Sequence, residues 1–130
     1  MDFNHSAIQK RQDYFWLGRK YEEDNDLPAA IEAYKTYSTH LADTDQHIPN
    51  LWISKFYDQL EEPEQALFHL EAYAKGCSNI IAAKVYKDLA ERYLLIDHVD
   101  QAILHFENAL AKDDKVGVKK KLKKLKTSLV

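Results

Sequence analysis

The chain repeats itself. The motif Ala-Ile/Leu-x-x-Tyr/Leu/Phe occurs at Ala30, Ala66 and Ala102, and both intervals are 36 residues. A regular period in this range marks stacked supersecondary units, none of which can bury its own apolar face alone. Few architectures suit 130 residues built that way.

Each unit reads as a helix, a tight turn and an antiparallel helix. In the third, Tyr86, Leu89, Ala90 and Tyr93 fall at i, i+3, i+4 and i+7, which places them on one helical face. Ala102, Ile103, Phe106, Ala109 and Leu110 repeat the spacing. The intervening Ile96-Asp97-His98-Val99-Asp100 is too short for a further element and carries Asp97 where an N-cap would accept free amide hydrogens. The first unit pairs Tyr14, Leu17, Gly18 and Tyr21 with Ala30, Ile31, Tyr34 and Tyr37. The second pairs Ile53, Ser54 and Tyr57 with Ala66, Leu67, Leu70 and Tyr73. One slot is small throughout: Gly18, Ser54, Ala90. A glycine inside a helix costs about 1 kcal/mol against alanine, so Gly18 implies a close helix approach that returns the cost.

The run Tyr14-Phe15-Trp16-Leu17-Gly18-Arg19-Lys20-Tyr21, with Tyr14 in place of Trp, and the run Ala102 to Phe106 resemble the two halves of the tetratricopeptide repeat pattern, W-x2-L-G-x2-Y then A-x3-F. The chain departs from that pattern in its 36-residue spacing against the usual ~34, in Asn50 where an aromatic is expected, and in lacking the closing prolines. The resemblance covers about residues 11 to 114 and implies an all-α fold: an α-solenoid of three helical hairpins plus a C-terminal capping helix, about seven helices in a single domain. The repeats are expected at about 11–46, 47–82 and 83–114, and the cap at about 115–130.

The same resemblance implies a concave groove, lined by the first helix of each hairpin, that holds an extended or helical peptide. Three rows of equivalent positions then face the ligand: Trp16, Trp52 and Asp88; Arg19, Lys55 and Glu91; Phe15, Leu51 and Lys87. Trp16 and Trp52 are candidate anchors, because aromatic and Arg side chains dominate binding hot spots. The alternative is that both fill gaps in the stack, as large aromatics commonly do. Some proteins of this family clamp the terminal carboxylate of heat-shock chaperones. The places for that clamp hold Phe15, Arg19, Trp52, Lys84 and Asp88, of which only Lys84 and Arg19 suit it, so this partner is disfavoured.

Composition narrows the setting. Hydrophobic residues make up 45% and charged ones 30%, ordinary for a soluble protein, and three glycines with three prolines suit a nearly all-helical chain. Apolar runs fall far short of the ~20 residues that cross a bilayer, and MDFNHSAIQKRQ lacks the apolar core of a secretory signal. A single cysteine, Cys77, agrees with a reducing compartment, so a cytoplasmic protein is expected.

Local signals punctuate the helices. Ser6-Ala7-Ile8-Gln9 is a capping-box pattern at the start of a first helix that runs to about Glu23. Glu22 to Asp26 reads as a solvated capping turn, since it lacks the alternating ligands, central Gly and closing Glu of a calcium loop. Pro28 sits in the next first turn, and Leu41 to His47 is the longest loop. Pro49 and Pro63 start helices, Gly76 is placed to close one in the left-handed conformation, and Ser78 to cap the next.

The C-terminal stretch KVGVKKKLKKLKTSLV differs in kind. Val118, Leu122, Leu125 and Leu129 form an apolar stripe among 7 lysines and no acid, so the chain's net −3 leaves −10 on residues 1–114. Such a helix either covers the last repeat's apolar edge or binds anionic lipid, nucleic acid or calmodulin-like proteins. Capping is preferred, because Leu110 and its neighbours otherwise lack a cover.

No Walker loop, GxGxxG, GxSxG or CxxC is present, so no cofactor and no catalytic residue is assigned. Of six histidines, His98 with His105 and His40 with His47 lie two turns apart, wider than the i, i+4 pairs of helical zinc sites; surface or core-edge positions are expected and no metal. The function expected is a non-catalytic adaptor that binds a peptide or helix of another protein. The alternatives are a self-associating module, or recruitment to membranes or nucleic acid through the basic tail.

Overall fold

A computed structural model describes residues 3–128, with the side chains of residues 8–128. Among the described residues the protein is all-α, with seven helices and no strand: α1 Phe3–Glu23, α2 Leu27–Thr39, α3 Pro49–Gln59, α4 Pro63–Gly76, α5 Asn79–Leu95, α6 Val99–Lys112 and α7 Lys119–Ser128. They pair as hairpins α1/α2, α3/α4 and α5/α6. The chain forms two compact units, Met1–Gly76 and Cys77–Val130. In unit 1 the two hairpins join through α2 and α3; in unit 2 a single hairpin carries α7 on α6. No helix of the described residues is long and apolar enough to cross a membrane.

The period reappears as backbone geometry. Asn25, Glu61 and Asp97, spaced by 36, all adopt a left-handed conformation at φ of 57°, 58° and 60°. The next amide in each case, from Asp26, Glu62 or His98, donates to the carbonyl of Tyr21, Tyr57 or Tyr93 at 2.8, 2.9 and 2.9 Å. The left-handed residue's own amide donates to the carbonyl of Glu22, Asp58 or Leu94. This pair of bonds is the Schellman motif, which satisfies carbonyls left open at a helix end. Asp97 is therefore not the N-cap expected of it. His98 takes that position without a side-chain cap bond, because the motif places Asp97 one residue too early. Of the three turns, the first has a side-chain cap: Asp26 accepts from the Ala29 amide at 3.3 Å.

The small slot lies where each hairpin is tightest. Ser54 and Ala90 are buried with Ala66 and Ala102, and the Ser54 hydroxyl donates to the Ala66 carbonyl across the hairpin at 2.9 Å. A Cβ placed on Gly18 would come within 2.7 Å of the Tyr34 ring, which is only 2% exposed and stacks on Phe56. Leu17 departs from the repeat: its equivalents Ile53 and Leu89 are buried, yet Leu17 is 38% exposed, because α1 packs on α2 and no helix of unit 1 covers that flank.

Several boundaries differ from expectation. α1 is already helical at Phe3, so Ser6 lies inside a helix rather than at its cap; its side chain is outside the described residues. The third hairpin starts at Asn79 rather than 83. Ser78 occupies the N-cap of α5, but its hydroxyl makes no cap bond. Gly76 ends α4 without a positive φ and serves close approach instead, since a Cβ there would collide with the His47 ring. That ring belongs to the long loop, which is held by Ser38 Oγ donating to the Gln46 carbonyl at 2.6 Å and by His47 stacking on Tyr73.

Two histidines expected at the surface or core edge are interior. His105 lies between the rings of Tyr86 and Tyr93 at 5.7 and 5.3 Å. The equivalent His69 stacks on Tyr57 and donates from Nδ1 to the Asn50 Oδ1 at 2.8 Å. Asn50 thus replaces an aromatic because it offers this buried imidazole a hydrogen bond where the third hairpin offers it a ring.

The basic tail caps unit 2. Val118 and Leu122 are buried, and with Leu125 they pack on Ala90, Ala102 and Phe106. Helix α7 begins at Lys119, after a turn in which Gly117 takes a φ of 83°; Leu129 lies outside the described residues.

Candidate functional site

Phe15, Arg19 and Glu22 recur at i, i+4 and i+7 along α1 and so share one face. Tyr34 from α2 and Trp52 from α3 meet them, and the five residues line a cleft of about 210 Å³. Its floor is aromatic. The rings of Phe15, Tyr34 and Trp52 are mutually tilted by 62°, 65° and 67° at centroid distances of 6.3, 6.2 and 5.3 Å, the edge-to-face arrangement that the ring quadrupole favours. Tyr37 stacks on Trp52 at 13° and also meets Phe15 at 5.5 Å.

The polar rim is a single weak pair. Arg19 Nε lies 3.9 Å from Glu22 Oε2, with both side chains in contact with solvent, so their mutual attraction is small and either is open to a ligand. Burial, reinforced by the Glu22 carboxylate, pushes the Tyr34 phenol up to about 12. Tyr34 is accordingly neutral at physiological pH.

The equivalent tryptophans have different surroundings. Trp52 is half-buried in the aromatic cluster, whereas Trp16 is 65% exposed and touches Phe15 edge-on at 5.4 Å. One fills the core edge and the other stands in water. Both positions precede the packing face by one residue, but α3 packs closely on both α2 and α4 whereas α1 packs closely on α2 alone.

Of the ten groove candidates, Phe15, Arg19 and Trp52 come together in this cleft, and Trp16 stands at its edge. Leu51 is half-buried and Lys55 exposed on α3. The other four lie on α5 in unit 2. Lys84 is exposed and Lys87 half-buried; Asp88 accepts from Arg92 Nε at 3.2 Å, and Glu91 lies 3.9 Å from Lys121 of α7. Asp88 and Glu91 are thus engaged by charges of their own unit. Sequence reasoning missed Glu22 and Tyr34 as cleft residues. Glu22 was legible as the i+3 partner of Arg19, and Tyr34 as the residue facing Gly18.

A volume near 210 Å³ is below the ~300–1,000 Å³ of small-molecule sites and suits a single side chain. The wider hollows at Asp97–Gln101 and beside Lys120, Lys124 and Ser128 are each lined by one turn or one helix, and a third, of about 290 Å³, lies where α7 meets Leu110 of α6 and is rimmed by lysines. The cleft residues supply ring faces, one guanidinium and one carboxylate, a set for holding an apolar side chain beside a polar main chain. Compared with protein-family models and with curated proteins, the chain finds no match.

Proposed function

We propose that the protein is a non-catalytic adaptor of tetratricopeptide-repeat type, acting in the cytoplasm, which binds a peptide or helix of another protein with the unit 1 cleft as anchor. The observation that carries this reading is the cleft itself: a tilted three-ring floor with a guanidinium at its rim and a largely exposed tryptophan beside it. Exposing a Trp to water is unfavourable by the area rule, and such residues mark contact sites when they adjoin a pocket. The matching turn geometry of three hairpins supports the repeat reading, and the absence of an acid–base or nucleophile pair among the cleft residues supports a binding role.

The test uses substitutions that leave the core untouched. Trp16→Ala and Arg19→Ala are compared with Phe68→Ala, an exposed ring on α4, in affinity capture from the source cell. A protein retained by the native chain and by Phe68→Ala but lost from the first two is the expected result. Identical captures from all four chains would overturn the proposal.

A further inference from the structure

Helix α7 divides into three sectors, since successive residues advance by about 100°. Val118, Leu122 and Leu125 share the sector packed on the α5/α6 core. Lys121 and Lys126 flank it, one on each side, with Lys121 Nζ 3.9 Å from Glu91 Oε1 and Lys126 Nζ 2.9 Å from Glu107 Oε1. Lys120, Lys123 and Lys124 occupy the remaining face and Lys119 its edge beside Lys126, all exposed. The helix contains no acid.

This outward face is electrostatically unfavourable in the isolated chain. Lys119 with Lys123, and Lys120 with Lys124, are like charges at i, i+4, which destabilise a helix. Lys119 and Lys120 also lie in the first turn, where the helix dipole disfavours cations. Among the described residues none of the four makes an ion pair. An anionic surface laid on this face would relieve both terms. The apolar stripe is turned inward, so insertion into a bilayer is not available and recognition rests on charge.

The protein carries a matching surface. Tyr37 faces Trp52 and Tyr34 faces Phe56, so α2 and α3 run antiparallel and the two hairpin turns of unit 1 lie at the same end. That end displays Glu23, Asp24 and Asp26 from one turn and Glu61, Glu62 and Glu64 from the other, all exposed. We propose that the outward lysine face of α7 docks on this acidic turn end in a second copy of the chain. A polyanion such as nucleic acid or anionic lipid fits less well, because the −10 charge of residues 1–114 repels it. The proposal is independent of the cleft and its ligand.

Sedimentation equilibrium at about 20 mM and about 300 mM salt, where charge interactions are respectively extended and screened, reads the contact directly. At low salt the weight-average mass should rise with concentration to about twice the 15.2 kDa of one chain or beyond, and return to 15.2 kDa at high salt. K119E/K120E/K123E/K124E should be monomeric in both, and so should E23K/D24K/E62K/E64K. An equimolar mixture of these two variants should associate again at low salt, since each supplies the face that the other lacks. Circular dichroism verifies that both remain folded. A native chain that stays monomeric at low salt, association indifferent to salt, or a mixture that fails to associate would overturn the proposal. So would monomeric behaviour accompanied by binding to phosphatidylserine vesicles or to duplex DNA, which would assign the lysine face to a polyanion.

Discussion

Gly18 and Tyr34 define the tightest contact in unit 1. Because the Tyr34 ring is confined by Phe56 and Trp52, it cannot retreat from a side chain at position 18. Gly18→Leu is expected to cost about 2 kcal/mol or more through overpacking and to lower the melting temperature by several degrees, readable by calorimetry. The two tryptophans should separate spectroscopically: Trp16→Phe leaves blue-shifted, quencher-resistant emission from Trp52, and Trp52→Phe leaves red-shifted, readily quenched emission from Trp16. His69 adds a pH signature, since burial and then the charge of Lys35 hold its imidazole below the ordinary value. As pH falls below about 6.5, the unfolded chain protonates this histidine before the folded one does. Stability is therefore level above that point and declines beneath it. Denaturant midpoints at about pH 7.5 and 5.5 should show the decline in the native chain and a smaller one in His69→Gln. Slot residues were legible in the sequence because size recurs at one register position. The contrast between Trp16 and Trp52 was not, because their positions are identical within the repeat and differ only in what lies alongside.

At the scale of elements, helix ends were read less accurately than helix faces. The apolar spacing located all three hairpins, whereas Asp97 and Gly76 do something other than their residue type suggests, and Ser78 takes the expected N-cap position without the cap bond. A cap preference is a local statistic, and at Asp97 the Schellman bonds of the repeated turn outweigh it. Those turns hold Glu61 and Asp97 in a conformation that favours glycine. Glu61→Gly should raise stability by about 1 kcal/mol, seen as a higher urea midpoint with unchanged slope; a lower midpoint would refute the account of the turn. Helix α7 is tied to its unit mainly by Val118 and Leu122, so Leu122→Asp should release it. The expected readout is faster amide exchange along α7, with the loss of Phe106 and Ala102 burial destabilising unit 2 by about 2–4 kcal/mol.

At the scale of the whole molecule, the 36-residue period and the helical apolar spacing within it pointed to three hairpins, and the apolar stripe of the lysine-rich tail to a further helix, which gives the seven helices of the all-α chain described. The cleft was legible in part. Phe15, Arg19 and Trp52 follow from register and Glu22 lies on the same α1 face as the first two, but that Tyr34 of α2 and Trp52 of α3 meet this face comes from the packing of three helices. Removing residues 115–130 changes the formal charge from −3 to −10 and uncovers the Ala90, Ala102 and Phe106 cluster. The truncated chain should bind a dye for apolar surfaces severalfold more strongly than the native one, and equal dye binding would show that the tail is dispensable as a cover.

The three left-handed residues have a last consequence, for how length can vary along this chain. Each sits in a connection closed by the same pair of Schellman bonds, so one extra residue between Asp24 and Asp26 would rotate α2 by about 100° about its axis and swing Tyr34 away from Gly18. The loop at 41–47 has no left-handed residue, and its ties to the helices lie at Gln46 and His47. Insertions and engineered junctions between hairpins therefore belong there, and the turns fix the phase in which copies of the unit can be joined.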